Sequence, residues 1–249
     1  MIQHEDHDGV VVLRLAHGPV NAFDTNLFDA VSDQFDRLES QDHRAVVLAG
    51  AGRAFSAGVD LQQVIDGGED YLRAFLPALA STLQRLFVHH RPVVAALHGH
   101  AIAGGCVLAA CADRRVMVAE GARIGISELT VGVPFPVAAL EPMRFLLPTT
   151  VLQDLVYSGR LLEPEEALRV GLVDELAPSD EVFNRSVAAA QRLAAIPDDA
   201  FALTKRHLRR EAIQAMRERS LELDAEVFDL WRRPETIDRL RAALASLRR

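Results

Sequence analysis

Lysine is almost absent from this chain: of 27 basic residues in 249, only Lys205 is not arginine. A lysine nucleophile or Schiff base therefore has a single candidate, and its neighbours Thr204, Arg206 and His207 suit a solvated charge rather than the desolvation that activates an amine. Cysteine is nearly as scarce. Cys106 and Cys111 are the only two, five apart in one apolar segment, with no His or carboxylate spacing to complete a metal site, so packed thiols are expected. His98 and His100 flank Gly99 and supply too few ligands alone, while His89 and His90 close a helical pattern, where a polar tip near the last carbonyls is the ordinary reason. No metal is expected. Basic charge is in deficit, with a net charge of −8, which excludes a general nucleic-acid binder but leaves room for a local basic site. No apolar run approaches the roughly 20 residues that cross a bilayer, and the start is polar and acidic, unlike a secretory signal. The expectation is a cytoplasmic protein with no membrane contact. There is no repeat of fixed period and no low-complexity linker, and the length permits one large core with or without a small appendage.

Valine-rich runs of strand length occur at Val10–Leu15, 45–49, 92–97 and 115–119, bounded by Gly, Pro or charged residues, and several read as buried on both faces. Between them, Thr25–Leu38 places Leu27, Phe28, Val31, Phe35 and Leu38 on one side, and 71–88 repeats apolar residues at helical spacing. Alternating strand and helix predict an α/β core. After Pro148 the strand-like runs vanish and amphipathic helices follow. One begins near Glu163 with Pro164 early and Gly171 ending it, and Pro178, Ser179 and Asp180 start the next. The stripe over 198–233, from Phe201 to Trp231, fits core or subunit contacts.

Two glycine-marked turns follow apolar runs and open helices: AFSAGVDL (54–61) and HAIAGGCVLAAC (100–111). No Ser, Thr, Asp or Asn stands at the capping position of the second, so its first N–H groups are free for a ligand, as an oxyanion hole requires. Taken alone, these glycines serve tight helix packing equally well. Asp60 suits a structural acid at a helix start. Glu128, between Ile124, Ile126, Leu129, Val131 and Val133, is placed for desolvation that raises a carboxyl pKa toward a general-base value, although such a Glu also fits the solvent side of a short strand.

The two turns, with VNAFDTNLFDAV (20–31), ISELTVGVPFP (126–136) and SGRLLEPEEALRVGLVDEL (158–176) in that order, resemble the enoyl-CoA hydratase/isomerase (crotonase) superfamily. The resemblance implies a ββα superhelix over 1–195 and a helical C-terminal region over 196–249 that covers the active site and assembles a homotrimer or dimer of trimers. It implies an acyl-CoA thioester substrate, a role in fatty acid metabolism and no cofactor beyond the substrate's own CoA. It assigns the oxyanion-hole N–H groups to Val59 and Gly104 and the catalytic acid to Glu128. Family hydratases carry another Glu three residues after the oxyanion glycine; here that position is Val107. One carboxylate suffices to move a double bond, so the pattern is most similar to Δ3,Δ2-enoyl-CoA isomerases. A hydratase using a further acid such as Glu141, and a catalytically silent acyl-CoA binder, are the alternatives. Val107, Pro134, Phe135 and Leu140, with Ala138, Met143 and Phe145 nearby, suit an acyl pocket, and core packing predicts the same composition. For CoA, the resemblance points to the backbone around Ala54 and Ala57, with Arg53 and Lys205 as candidates for its phosphates.

Overall fold

In a computed structural model, which describes residues 1–247, the chain opens with an antiparallel hairpin of β1 (Ile2–His7) and β2 (Val10–Leu15). After α1 (Thr25–Leu38) it winds through turns of two strands and a helical piece. The first is β3 (Ala45–Gly50), β4 (Ala54–Ser56) and α2 (Leu61–Val88). The second is β5 (Val93–Leu97), β6 (His100–Ile102) and α3 (Gly104–Ala110). The third is β7 (Arg114–Val118), β8 (Ile124–Gly125) and a 3-10 turn at Glu128–Val131. The leading strands build one sheet and the following strands build another, β4-β6-β8, all parallel to their neighbours. This is the ββα superhelix expected from the resemblance.

Small and β-branched residues explain the large sheet. Every residue of β3 and β5 is buried, because these central strands have partners on both sides and their two faces are covered by the rest of the core, and Val46 pairs with Val93 in parallel register. Helix α1 buries the predicted stripe, with Asp24 accepting from the Leu27 N–H at its start. Helix α2 is longer than the 71–88 period indicates. It begins at Leu61, capped by Asp60, and bends at Gly68, whose φ of 55° breaks the spacing. Asp60 is thus the helix-start acid expected.

The reading that strands cease and helices begin after Pro148 needs correction at both ends. Helix α4 (Val137–Leu146) precedes Pro148, followed by α5 (Thr149–Ser158) and α6 (Pro164–Arg169). Then β9 (Glu175–Ala177) adds a parallel edge strand against β7, completing the order β1-β2-β3-β5-β7-β9. Helix α7 (Val182–Ala194) packs across β3, β5 and β7. The remainder is α8 (Asp198–Leu208), α9 (Arg210–Trp231) and α10 (Pro234–Leu247). Helix α9 lies against α2 and α4, and α10 against α2 and the 3-10 turn. The division at 195/196 falls between α7 and α8, and the last two positions of the C-terminal region, 248–249, lie outside the described residues.

Lys205 is not the solvated charge its neighbours in sequence suggest. It is 6% exposed on α8, its ammonium bonded to Asp113 at 2.6 Å and to the Arg91 carbonyl at 3.2 Å. Burial pulls its pKa down to about 8 against the pull of Asp113. Arg209 binds the other oxygen of Asp113. The thiols of Cys106 and Cys111 are fully buried, and burial holds the Cys111 thiol up at about 12, as inert packed groups.

Candidate active site

After β4 the chain turns through Gly58, whose φ is +84°; a side chain there would meet Ala103 Cβ at 2.9 Å and Gly104 N at 3.1 Å. The two glycine turns are therefore in contact. Phe23 N–H donates to the Gly58 carbonyl at 2.7 Å and Asp60 N–H donates to the Phe23 carbonyl at 2.9 Å. That alternation skips the Val59 N–H, which forms no hydrogen bond among the described residues. On the other turn Ala103, at φ 52° and ψ −125°, takes a conformation that L-residues rarely adopt, costing about 1–3 kcal/mol. It is held there because its N–H donates to Gly125 at 2.8 Å while its carbonyl accepts from Cys106 and Val107. No side chain caps α3, so the Gly104 N–H is likewise unspent. Gly105 allows this closeness: a Cβ there would lie 2.4 Å from the Ser56 carbonyl oxygen.

Val59, Gly104, Val107 and Glu128 line one narrow cavity of about 30 Å³. Glu128 reaches it from the 3-10 turn, which Gly132 ends in the left-handed conformation. The residue keeps some exposure, but its Oε2 is sealed from solvent and has no hydrogen-bond partner. Burial pushes the carboxyl up to about 7, with the backbone N–H groups of Glu128 and Ser127 pulling it partly back. Val107, 1% exposed, fills the position one helical turn after Ala103. A carboxyl group that holds a proton near neutrality, beside two unspent amides, can remove a proton from carbon next to a carbonyl whose oxygen the amides receive.

The rest of the lining is apolar. Pro134 and Phe135 are on it as expected, but Leu140 is not: it packs half-buried against the core, and Pro136 and Ala139 are the residues around the start of α4 that turn to the cavity. Phe145 also lies elsewhere, 42% exposed and edge-on to Phe87. Glu141 is buried on α4 at 3.8 Å from Arg144 and does not line the cavity, so it supplies no second acid there. Sequence reasoning missed Phe23, Phe28, Leu79, Leu83 and Trp231. All fall in helical stripes or next to one, where apolar spacing reports burial but not which buried face borders a cavity. Trp231 comes from α9, its Nε1 donating to the Pro134 carbonyl at 3.0 Å.

Of the residues considered for CoA, Arg53 and Ala57 are exposed and Ala54 is buried in β4. The Ala57 N–H donates to Val20 at 2.9 Å, and the Ala54 carbonyl accepts from the buried Asn21 amide at 3.1 Å. Lys205 is committed to Asp113, away from this cavity. His98 bonds the Gly52 carbonyl and His100 the Arg123 N–H, so both fasten turns.

The family described as Enoyl-CoA hydratase/isomerase matches residues 5–239 of the chain. The mouse mitochondrial enoyl-CoA delta isomerase 1 is 29% identical over 214 residues, covering 84% of this chain and 74% of that protein. The crystal structure of probable enoyl-CoA hydratase EchA3 from Mycobacterium tuberculosis H37Rv superposes with a TM-score of 0.85 at 32% identity, covering 90% and 95% of the two chains. Human mitochondrial delta3-delta2-enoyl-CoA isomerase has the same fold, with a TM-score of 0.93 at 24% identity over 99% and 98%. Its motifs, its ββα winding and its match along nearly the whole length make this chain a member of the enoyl-CoA hydratase/isomerase family.

Proposed function

We propose that the protein moves the double bond of a 3-enoyl-CoA to the 2,3 position, with Glu128 as the sole proton carrier. The ionised carboxylate takes a proton from C2; the C–H electrons conjugate through the double bond to the thioester oxygen, giving a dienolate. The N–H groups of Val59 and Gly104 donate to that oxygen, where charge develops only as the proton leaves. Glu128 then returns the proton to C4, the oxygen reforms its carbonyl, and the double bond rests between C2 and C3. Atoms and charge balance without water or cofactor.

One observation carries this reading: Glu128 is the only carboxylate on the cavity among the described residues, with Val107 on α3 where hydration needs a second acid. The apolar lining supports it, because a dienolate is protected when water is kept out. A cavity of about 30 Å³ admits a water or two but no acyl chain, so its apolar lining must part to receive substrate.

The test offers a 3-enoyl-CoA and, separately, a 2-enoyl-CoA to the purified protein and follows mass and retention. Conversion of the 3-enoyl substrate without change of mass, reduced about 10²–10⁴-fold in Glu128→Gln, is expected. Addition of water to the 2-enoyl substrate by the parent enzyme overturns the reading in favour of a hydratase. Tight binding with no Glu128-dependent turnover overturns it in favour of a silent binder. Val107→Glu is expected to gain hydration that the parent lacks.

A further inference from the structure

A planar trans peptide turns its N–H away from the carbonyl that precedes it, so the direction of the Val59 N–H is the reverse of that of the Gly58 carbonyl. Phe23 N–H holds this carbonyl at 2.7 Å. The preceding peptide, between Ala57 and Gly58, is held at its own N–H by the Ser56 hydroxyl at 3.1 Å. Between the two held peptides lie only the φ and ψ of Gly58, whose φ of +84° belongs to the region that glycine enters freely. With both planes fixed the glycine has no rotation left to use. With either one released it is the most pliable link in the turn.

The roles of the hydroxyl are settled by its partners. A backbone N–H only donates and a carbonyl only accepts, so Ser56 Oγ receives from Gly58 and gives its own proton to the Asn21 carbonyl at 2.8 Å. Ser56 and Asn21 are both 0% exposed. Asn21, at φ 50°, is itself tied down: its side-chain amide donates to the carbonyls of Ala51, Ala54 and Phe55 at 2.9, 3.1 and 3.1 Å, and its Oδ1 accepts from the His17 N–H at 2.9 Å. The hydroxyl is therefore anchored to a fixed point. Ser56 also meets the element that carries the other amide. It pairs with Ala101 across β4 and β6, and its carbonyl oxygen lies 2.4 Å from where a side chain on Gly105 would begin. Its side chain thus bears on Val59, while its main chain abuts α3, whose first residue is Gly104.

We propose that Ser56 is a positioning residue, its hydroxyl fixing the direction of the Val59 N–H relative to that of Gly104, a role that rests on reading those two amides as the receivers of the thioester oxygen. Ser56 does not line the cavity, so it acts through the turn and not on substrate. Removal of the hydroxyl leaves the buried Gly58 N–H without its partner, and an unpaired buried donor favours any rotation of the glycine that finds it another acceptor. The Val59 N–H then tilts off the line to the developing charge, where a misplacement of about 1 Å costs about 10²-fold in rate. In the sequence Ser56 is one small residue of AFSAGVDL, and the carbonyl that anchors it lies 35 positions away.

The experiment compares the full-length parent with Ser56→Ala and with Ser186→Ala, which deletes an equally buried hydroxyl bonded to the Val182 carbonyl of its own helix, away from the cavity. Ser56→Cys, which keeps the volume but accepts weakly, gives the same readings if the alanine variant does not fold. Each protein is loaded with a 2-enoyl-CoA carrying carbon-13 at the thioester carbonyl, and the carbonyl stretch is read by isotope-edited infrared, because donors at the oxygen lower its frequency. Steady-state kinetics and a pH profile with the 3-enoyl substrate follow. For Ser56→Ala the expected result is a stretch displaced back toward that of the free thioester, a kcat lowered about 10–100-fold with KM within about twofold, and the Glu128 limb of the profile left in place. Ser186→Ala is expected to match the parent. The proposal is overturned if Ser56→Ala keeps the parent's stretch and kcat, if its Glu128 limb moves together with the loss, which marks general loosening, or if Ser186→Ala loses as much. A parent that lowers the carbonyl frequency but turns over no 3-enoyl substrate overturns the isomerase reading alone, and the stretch then decides for or against Ser56. A parent that leaves the frequency unshifted overturns the oxyanion hole and the role of Ser56 with it.

Discussion

Glu128 has an oxygen with neither partner nor solvent, which makes its charge expensive in the free enzyme. With the carboxyl held near 7, kcat/KM is expected to rise through about pH 7 along a single ionisation, because only the carboxylate can accept the C2 proton. A pH–rate profile of the 3-enoyl reaction checks this. The same shift sets a stability trend. Between the ordinary value of 4.5 and about 7 the folded protein keeps a proton that the unfolded chain has shed, so this group's contribution is full below that window and is lost as pH rises through it. Glu128→Gln is therefore expected to gain up to about 3 kcal/mol over the parent near pH 8 and little near pH 4, read by urea denaturation. The acid and its apolar neighbours were legible in the sequence. The sealed oxygen was not, because it depends on side chains as distant as Trp231 sharing the cavity. Lys205 misled for the complementary reason: charged neighbours in sequence said nothing of Asp113, which comes from 92 positions away.

Elements that carry many residues of one pattern were readable. Strands β2, β3, β5 and β7 fall within one residue of the valine runs, and α1 has the predicted bounds. Strands β4, β6, β8 and β9 are two or three residues long, too short to show a period, and exist because neighbouring strands supply hydrogen bonds. Yet the short sheet positions the reactive amides. The tolerance is narrow where α3 leaves β6, since Gly105 is pressed against the Ser56 backbone. Gly105→Ala is expected to fold with α3 displaced and to lose about 100-fold in kcat, because the Gly104 N–H no longer meets the developing charge. Circular dichroism alongside steady-state kinetics separates that outcome from unfolding.

Across the whole molecule, the last third of the chain closes the site that the first two thirds build. Trp231 is 3% exposed at the end of α9, in tilted contact with Phe75 and bonded to Pro134. Trp231→Ala is expected to cost about 3–5 kcal/mol and, by letting water reach Glu128, to move the acid limb of the pH profile toward the ordinary carboxylate range. Denaturant midpoints and the profile test both halves. Helices α8 and α9 also present Leu203, Leu208 and Leu223 at 46%, 67% and 41% exposure, which fits the trimeric assembly implied by the family resemblance. Light scattering is expected to give a trimer or its double, and a monomer at micromolar concentration counts against it. Lys205 bears on the whole surface in another way. Thioesters are acylating agents, and primary amines are their usual casualties. The one ε-amine of this chain is turned inward onto Asp113, so the Lys and Arg cations left outside are all guanidinium groups. An enzyme of acyl-CoA chemistry so built has no outward lysine on which an activated acyl group could settle.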